Sequence, residues 1–479
     1  MKEHLEKIVT IVLLILTMIL LVTLGCGGED GDYAFIKTTG GNIDVLALSV
    51  QQTADGGYIV AGYASGQPTE TPEPSDTSTL QLTPTPTRPP GGDYQDLLLL
   101  KYDRSGSLSW ARTASLGSED LVSSVRQTAD GGYILAGYTS TSRYEGRDVL
   151  LLKYNSAGVL EWARTTGGSN DDIAQSVWQT ADGGYVVAGE TRSYSAGLTD
   201  VLLLKYDSAG TLEWARTAGG SYYDDALSVQ QTADGGYVVA GSTSSYGMGY
   251  EDVFLLKYDS EGTLSWAKTT GGNDEDMARS VQQTADGGYI VAGWTGSYGA
   301  GDRDVLVLRY DNSGTLEWAR TTGGSSSDDA CAVQQTTDGG YVVAGTTVTL
   351  GPVGSAGISL LKYDSAGTLE WARTAGGGSA DVIRSMQQTT DGGYIVTGFT
   401  SSYGAGDVNV FLLKTDKDGH IRDCGLVSSA SPSVASPNLV TGLHNVSTSS
   451  PMMSTDNPDV STSSLSLTTD NICTGEGPD

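Results

Sequence analysis

The sequence is poor in the residues that most catalytic and metal sites need. Its 479 residues include only 4 Cys and 3 His, too few and too scattered for a disulfide-dense scaffold or a zinc ribbon. Nucleophilic hydrolysis through Ser or Cys needs a His base, and the repetitive body of the chain has one His, His420, at its extreme end. The sequence therefore disfavours an enzyme and indicates no cofactor, with Ca²⁺ as the one ion to consider.

Basic residues are also scarce. Lys and Arg number 27 against 57 Asp and Glu, which gives a formal net charge of -30. Nucleic acid is therefore excluded as an expected partner, because phosphate contacts need a basic face. Helical periodicity is absent after residue 32, so the body is expected to be all-β.

One long apolar run, "IVTIVLLILTMILLVTLG" at 8–25, ends at Cys26. It is typical of an export signal. "TLGC" resembles a bacterial lipoprotein cleavage box, in which Cys26 is the lipidated first residue. The alternative is an uncleaved membrane anchor, since the run is just long enough to span a bilayer. Both readings predict a membrane-attached protein outside the cytoplasm.

The phrase "DGGY" recurs along the chain with gaps of 75, 52, 52, 52, 52 and 53 residues. A fixed period near fifty residues indicates a repeat architecture. The long first gap contains a Pro/Thr-rich insert at 67–90, which lacks any hydrophobic pattern. The aspartates of the phrase are Asp55, Asp130, Asp182, Asp234, Asp286, Asp338 and Asp391.

Each period contains four strand-like pieces, as in "DDALSVQQT", "GYVVAGST", "DVFLLKYD" and "TLSWAKTT" within 224–270. Asp-Gly-Gly predicts a tight hairpin between the first and second strands, and Asp-x-x-Gly predicts a type I turn between the third and fourth. The second and third strands are nearly continuous apolar runs, which predicts burial on both faces. One basic residue per third strand and one per fourth strand are expected to pair with carboxylates or to lie along the Trp faces.

The two ends of the repetitive body predict ring closure. The seventh copy lacks the strand that carries Trp in the other six, whereas the N-terminal "YAFIKTTGG" (33–41) aligns with "LEWARTTGG". The first strand therefore completes the last sheet, which removes exposed edges. The predicted fold is a seven-bladed β-propeller of four antiparallel strands per blade, as a monomeric ring. The expected order is a signal (1–26), a tether (27–32), the propeller (33–424) and a Ser/Thr-rich, low-complexity tail (425–479).

This pattern, "DV-LLKYD-AGTLEWART" in particular, resembles the seven-bladed β-propeller repeat (SBBP-type) of secreted and surface proteins of bacteria and archaea. The piece Asp-x-x-Gly-x-x-x-Trp is also similar to the tryptophan-docking motif of quinoprotein propellers and of the outer-membrane assembly lipoprotein BamB. The resemblance implies a fold and a surface location, and it implies no single activity.

An acidic and aromatic loop face is the first place to look for a ligand. The loop before each inner strand carries a matched Asp, which could form a Ca²⁺ site or cap the backbone. The loop after each second strand carries a Tyr, which could stack a sugar or pack between blades. The candidate metal ligands are Asp172, Asp224, Asp276 and Asp328, and the candidate ligand-binding tyrosines are Tyr194, Tyr246 and Tyr298.

Positions that break the repeat are the stronger binding candidates. Arg126 and Trp178 replace the first Gln of "VQQT" on inner strands, and Glu190 and Trp294 follow "AG" at the end of second strands. In the tail, Cys424 and Cys473 are expected to form a disulfide in an oxidising compartment. The leading hypothesis is a non-enzymatic surface lipoprotein that binds an envelope protein or glycan. The alternatives are a glycan-active or quinone-dependent enzyme and a purely structural envelope protein.

Overall fold

The computed structural model describes the repetitive body and part of the tail. The predicted signal segment, the 67–90 insert and the cysteines Cys26, Cys424 and Cys473 lie outside the described residues. No helix in the described part of the chain has the length and hydrophobicity needed to cross a bilayer. The described ranges are 34–40, 44–65, 95–140, 146–349, 355–404, 407–421, 427–430, 433–435, 440–443, 447–449, 454–456, 461–464 and 468–471.

Each of the seven sequence repeats forms a four-stranded antiparallel unit. The innermost strands are β2 (Asp44–Gln52), β6 (Glu119–Gln127), β10 (Asp172–Gln179), β14 (Asp224–Gln231), β18 (Asp276–Gln283), β22 (Asp328–Gln335) and β26 (Asp381–Gln388). The second strands are β3 (Tyr58–Ser65), β7 (Tyr133–Ser140), β11 (Tyr185–Thr191), β15 (Tyr237–Thr243), β19 (Tyr289–Thr295), β23 (Tyr341–Thr347) and β27 (Tyr394–Thr400).

The outer half of each unit contains the third and fourth strands. The third strands are β4 (Gln95–Tyr102), β8 (Asp148–Tyr154), β12 (Asp200–Tyr206), β16 (Asp252–Tyr258), β20 (Asp304–Tyr310), β24 (Gly357–Tyr363) and β28 (Asn409–Thr415). The fourth strands are β5 (Leu108–Ser115), β9 (Leu160–Gly167), β13 (Leu212–Gly219), β17 (Leu264–Gly271), β21 (Leu316–Gly323), β25 (Leu369–Ala375) and β1 (Phe35–Gly40).

The N-terminal strand completes the last repeat, as the sequence predicted. β1 pairs antiparallel with β28, with Phe35 opposite Lys414. We number the repeats 1 to 7 from β2 onward, so that repeat 7 consists of β26, β27, β28 and β1. Successive inner strands contact one another in a closed series that returns from β26 to β2.

The tail contributes a fifth strand to every repeat, which the sequence analysis did not anticipate. Its segments pair antiparallel with the outermost strands and run backwards around the ring, from repeat 6 to repeat 1 and then to repeat 7. The tail strands are β29 (Val427–Ser429), β30 (Ser433–Ala435), β31 (Val440–Leu443), β32 (Ser447–Ser449), β33 (Ser454–Asp456), β34 (Ser461–Ser464) and β35 (Thr468–Asn471).

The prediction of seven separate four-stranded blades is therefore correct only in part. The sheet topology separates five blades, and each of them has five strands because a tail segment is added. The first two repeats form one ten-stranded sheet, because the parallel pair Gln95–Glu119 joins β4 to β6. Isolated parallel bridges occupy the same place between repeats 3 and 4 (Thr199–Tyr223) and between repeats 4 and 5 (Glu251–Glu275), without merging the sheets.

The core lies between neighbouring repeats. Every residue of β15 and β16 is buried, which confirms that the second and third strands are covered on both faces. Val238 and Ala240 of repeat 4, for example, pack in one cluster with Val281 and Val291 of repeat 5. Stacking of sheets thus buries continuous apolar strands that a single sheet would leave half exposed.

The repeated "DGGY" hairpin encloses a buried cation. Gly235 has a φ of +84°, and a Cβ on Gly236 would lie only 2.2 Å from the carbonyl oxygen of Tyr258. Asp234 accepts the Gly236 N–H at 3.0 Å and pairs with the buried Lys257 at 2.9 Å. The same pair occurs in all repeats, which confirms the structural role predicted for the third-strand cations: Lys101–Asp55, Lys153–Asp130, Lys205–Asp182, Lys257–Asp234, Arg309–Asp286, Lys362–Asp338 and Lys414–Asp391.

On the outside, each Trp docks on the next repeat. The Trp214 ring packs edge-on against Tyr237 at 5.8 Å between centroids, and a Cβ on Gly262 would lie 2.8 Å from the indole. The Arg216 guanidinium lies over Trp214 at 5.0 Å, as predicted for the fourth-strand cations. Phe35 takes the place of Trp in repeat 7, so that the same contact closes the ring.

The docking contact predicts unequal costs for two glycine substitutions. Gly262→Ala adds backbone strain at a φ of +75° and a clash with the Trp214 indole, whereas Gly235→Ala, at a φ of +84°, meets no atom within 4 Å. We expect both variants to lose stability, and Gly262→Ala to lose at least about 1 kcal/mol more. Urea unfolding measures the difference, and equal midpoints would contradict the docking role of the Trp ring.

Candidate functional site

The loops of the ring divide into two faces. The tight hairpins lie on one face, here called the hairpin face. The loops that enter each inner strand and those that follow each second strand lie together on the opposite face, here called the rim face. Backbone hydrogen bonds join these loops across repeats, as from the Asp276 N–H to the Glu251 carbonyl at 2.7 Å.

The matched loop aspartates have the geometry of backbone caps. In repeat 4, Asp224 is fully buried and accepts hydrogen bonds from the Thr243 hydroxyl, the Gly220 N–H at 2.7 Å and the Ser245 hydroxyl at 2.6 Å. Asp172, Asp276 and Asp328 likewise accept from a Thr hydroxyl and from the N–H of a glycine.

These four aspartates are not gathered at one place, since each belongs to a different repeat. Within the described ranges, no group of three or more His, Cys, Asp or Glu side chains is arranged to hold a metal ion. The geometry is thus that of the capping alternative. For the predicted Ca²⁺ site, the described residues form no cluster of ligands.

The candidate tyrosines brace the same loops. The hydroxyl groups of Tyr194, Tyr246 and Tyr298 donate to the carbonyl oxygens of Gly167, Gly219 and Gly271, at 3.0, 2.7 and 3.1 Å. Their backbone N–H groups donate to the threonines that bind the capping aspartates. All three side chains are half-buried, so their geometry favours the packing alternative over an open sugar platform.

A second aspartate faces the cap in five of the seven repeats, whereas repeat 6 has Gly357 at this place and repeat 7 has Asn409; the sequence-based predictions did not include this feature. Asp252, at the start of a third strand, accepts the Met248 N–H at 2.6 Å. Burial, together with the neighbouring charge of Asp276, raises its pKa to about 7. Burial and the charge of Asp224 raise the pKa of Asp200 to about 6. The repeated "DV" that opens the third strand was the available signal, although repeat 7 has Asn409 at this position.

The structure brings Arg126 and Trp178 together. They occupy neighbouring inner strands, and the Arg126 guanidinium lies over the indole at 4.5 Å. At the matched place in other repeats, a Gln accepts the N–H of the next inner strand, as Gln51 does from Gln127 at 2.5 Å. Among the described residues, neither Arg126 nor Trp178 forms such a bond. The two residues therefore interrupt the series of glutamine hydrogen bonds around the channel, here called the glutamine belt, and form a cation–π contact instead. The other glutamines in this belt are Gln230, Gln282, Gln334 and Gln387.

Trp294 and Glu190 do not meet, because they lie on repeats 5 and 3. Trp294 is only 2 % exposed, and the Arg303 guanidinium covers its ring at 3.8 Å. Glu190 lies close enough to Asp225 of repeat 4 that burial, together with the charge of Glu190, raises the pKa of Asp225.

An exposed apolar patch on the rim face was also missed. It consists of Leu198, Tyr222, Tyr223, Met248 and Tyr250, here called the rim patch, from the loops of repeats 3 and 4. The letters "SYYDD" and "GMGYED", which interrupt the repeat pattern, were the available signal.

The raised pKa of Asp252 predicts a pH-dependent gain from Asp252→Asn. The folded state binds the Asp252 proton more tightly than the unfolded state, so this contribution to stability is complete below pH 3.8 and is lost as the pH rises to about 7. Asparagine stays neutral, and Asn409 already occupies the matched place in repeat 7. We expect Asp252→Asn to change little at pH 4 and to raise the free energy of unfolding by at least about 1 kcal/mol at pH 8.

Asp234→Asn is the matched control in the same repeat. Hydrogen bonds and the charge of Lys257 lower the pKa of Asp234, so its loss should destabilise the protein at pH 7, and less so as the solution becomes acidic. Melting curves of both variants from pH 4 to pH 8 provide the test. A gain for Asp252→Asn that does not depend on pH would contradict the assignment.

Comparison with known proteins supports the fold. The family model described as "Domain of unknown function (DUF5122) beta-propeller" matches residues 232–264 and 284–317. The chain is 29 % identical over 250 residues to the regulatory protein FlaEY of Caulobacter vibrioides, covering 45 % of this chain and 24 % of that protein. It is 20 % identical over 446 residues to the uncharacterized WD repeat-containing protein L264 of Acanthamoeba polyphaga mimivirus, covering 76 % of this chain and 31 % of the relative. The chain thus spans less than a third of the length of either relative.

Two solved structures give weak overall superpositions. Sqt1 from Chaetomium thermophilum has a TM-score of 0.39 at 9 % identity, covering 79 % of this chain and 99 % of that one. A protein of unknown function from Dyadobacter fermentans has a TM-score of 0.37 at 12 % identity, covering 72 % and 98 %. On its own strand topology and the matched family model, the chain is a β-propeller repeat protein.

Proposed function

We propose that the protein is a non-enzymatic binding scaffold, a monomeric seven-bladed ring that docks one protein partner on its rim patch. The observation that carries this proposal is the exposure of the patch. Tyr250 and Tyr222 are 74 % and 59 % exposed, and Leu198, Met248 and Tyr223 are each about half exposed. Several exposed apolar side chains on neighbouring loops of one face mark an interaction site.

The loops that carry the patch are tied to one another. The Thr199 N–H donates to the Tyr222 carbonyl at 3.2 Å, and the Ser244 N–H donates to the Tyr223 carbonyl at 2.7 Å. The Tyr222 N–H in turn donates to the Ser245 hydroxyl at 2.9 Å. The exposed side chains therefore project from a fixed frame, which lowers the entropy cost of binding.

Charge and side-chain type favour a protein with a basic docking segment. Glu190 and Glu251 lie on the same repeats as the patch, and the whole chain carries a net charge of -30. A complementary partner is therefore positively charged. Leu198 and Met248 favour a protein over a glycan, because sugars stack on flat aromatic rings rather than on aliphatic chains.

The paired carboxyl groups of Glu190 and Asp225 are the observation that favours a glycan-active enzyme as a second candidate. Their charges interact, and burial together with the charge of Glu190 raises the pKa of Asp225. The two carboxyl groups of a glycosidase stand about 5 Å apart or more, to leave room for the sugar or water. The burial of Asp225, whose Oδ1 has no hydrogen-bond partner among the described residues, favours a binding or structural role over an open catalytic pair, as does the position of His420 on the hairpin face, next to Arg373.

Binding arrays test the rim patch. The full chain is applied to arrays of basic peptides and of envelope glycans, together with Tyr222→Ser/Tyr250→Ser and the control Val159→Ser. Val159 is 57 % exposed on a hairpin of the opposite face. We expect basic, apolar peptides to bind the wild type and the control, and the double variant to bind at least about tenfold more weakly, since a few buried aromatic anchors dominate such interfaces. Binding to glycans alone, or equal binding by all three proteins, would contradict the proposal.

We also propose that the ring acts outside the cytoplasm, attached to the membrane through a lipid on Cys26 or through the 8–25 segment. The apolar run and the cysteine that follows it support this location. A membrane-impermeant label should modify the protein on intact cells. A labelled fatty acid fed to the cells should be incorporated into the wild type and not into Cys26→Ser if the lipid holds the protein, and into neither if the segment is an uncleaved anchor. A protein found only in the cytoplasm would refute the location.

A further inference from the structure

The inner strands of all seven repeats enclose a central cavity of about 300 Å³. Each inner strand contains a β-bulge at the same place, where one residue is left out of the ladder. Bulges re-aim side chains and are frequent beside functional sites. The bulged residues differ from repeat to repeat, although their neighbours recur: Leu48, Ser123, Gln175, Leu227, Arg279, Cys331 and Arg384.

Three arginines on these inner strands have no carboxylate partner, although Arg126 lies over the Trp178 ring and Arg384 over the Phe399 ring. Arg126 and Arg384 line the cavity, and Arg279 is adjacent to Arg384 and Cys331. None of the three forms an ion pair or hydrogen bond with another residue in the part of the chain that the structure describes. The Nε of Arg279 is buried without an acceptor. The third-strand cations, by contrast, are all paired with hairpin aspartates.

Unpaired guanidinium groups in a narrow channel are unfavourable. Burial lowers the pKa of Arg126 to about 10. Burial and the like charges of Arg384 and Arg303 lower the pKa of Arg279. Each guanidinium has five N–H donors, and buried donors normally find acceptors. The carboxylate that acts on Arg279 and Arg384 is Asp329, and the like charge of Arg303 adds to that of the two arginines.

We propose that the channel binds a small organic anion, a carboxylate or a phosphate, through Arg126 and Arg384 with support from Arg279. Guanidinium groups match the planar or tetrahedral oxygens of these anions. The cavity has the volume of a small-molecule site. Trp178 holds Arg126 from one side by its cation–π contact. The site is independent of the proposed protein partner, because it uses the channel rather than the rim patch.

The net charge of -30 of the whole chain repels anions, so binding in the channel needs a local excess of positive charge. The channel arginines must attract the anion more strongly than the distant carboxylates repel it, and salt screens that repulsion beyond about 8 Å. The affinity should therefore be specific to the channel residues and should survive a rise in ionic strength better than surface binding does.

Calorimetric titration of the full chain with citrate and with inorganic phosphate tests the site. Arg126→Gln restores the glutamine of the other repeats, so the folded ring should melt at or above the wild-type temperature. Arg384→Leu introduces the residue found at Leu48 and Leu227. Arg104→Gln removes the same charge from an exposed hairpin and is the control.

We expect at least one of the two anions to bind the wild type and Arg104→Gln equally, and to bind Arg126→Gln and Arg384→Leu at least tenfold more weakly. The anion that binds more tightly distinguishes a carboxylate from a phosphate ligand. Equal affinities in all four proteins, or no heat with either anion at millimolar concentration, would overturn the proposal. Because the rim patch is unchanged in these variants, peptide binding measured on the same samples separates this outcome from failure of the proposed function.

Discussion

Hydrogen bonds between neighbouring inner strands hold the ring together. At every junction, the second glutamine of the repeated "QQT" accepts a backbone N–H from the hairpin of the adjacent repeat, and the bond from Thr390 to Gln52 joins the last repeat to the first. Inner strands of different sheets cannot share a full β-ladder, so side-chain acceptors replace it. Closure therefore depends on a short polar side chain placed once per repeat.

The outer part of the ring uses different contacts for the same purpose. A buried Lys or Arg pairs with the hairpin aspartate, and a Trp or Phe packs on the glycine of the next hairpin. The tail then pairs with the outermost strands and covers edges that would otherwise be open to another chain. These contacts are repeated with little change, which explains why most of the recurring letters are structural.

Variation is concentrated where the repeats converge, in the channel and on the rim face. Arg126 and Trp178 break one polar belt, while the complete belt formed by the second glutamines keeps their repeats in the ring. The bulge residues vary because they are not paired in the strand ladder, so their side chains need not pack against a cross-strand neighbour. Because two series of glutamine hydrogen bonds join neighbouring repeats, residues that line the channel can change without loss of the fold.

The sequence by itself determined the period, the four strands of each repeat, the hairpin chemistry and the completion of the last repeat by Phe35–Gly40, because all of these follow from local turn residues and alternation. It also indicated that the third-strand lysines are structural. The sequence did contain one further signal, an apolar residue followed by small polar residues every six or seven positions in the tail, as in "VSS", "VTG" and "VSTS". The tail has too few apolar residues to predict strands with a buried face. An edge strand, however, needs only backbone pairing and no buried face.

Only the tertiary structure decided which special residues meet. Arg126 contacts Trp178 and Glu190 contacts Asp225 across repeat junctions, whereas Trp294 and Glu190, which the sequence places at equivalent positions, remain apart. The merging of the first two repeats depends on one backbone pair, Gln95–Glu119, which no side-chain pattern specifies. Such contacts depend on how neighbouring sheets pack, and a repeat period specifies the sheets but not the side chains that face each other between them.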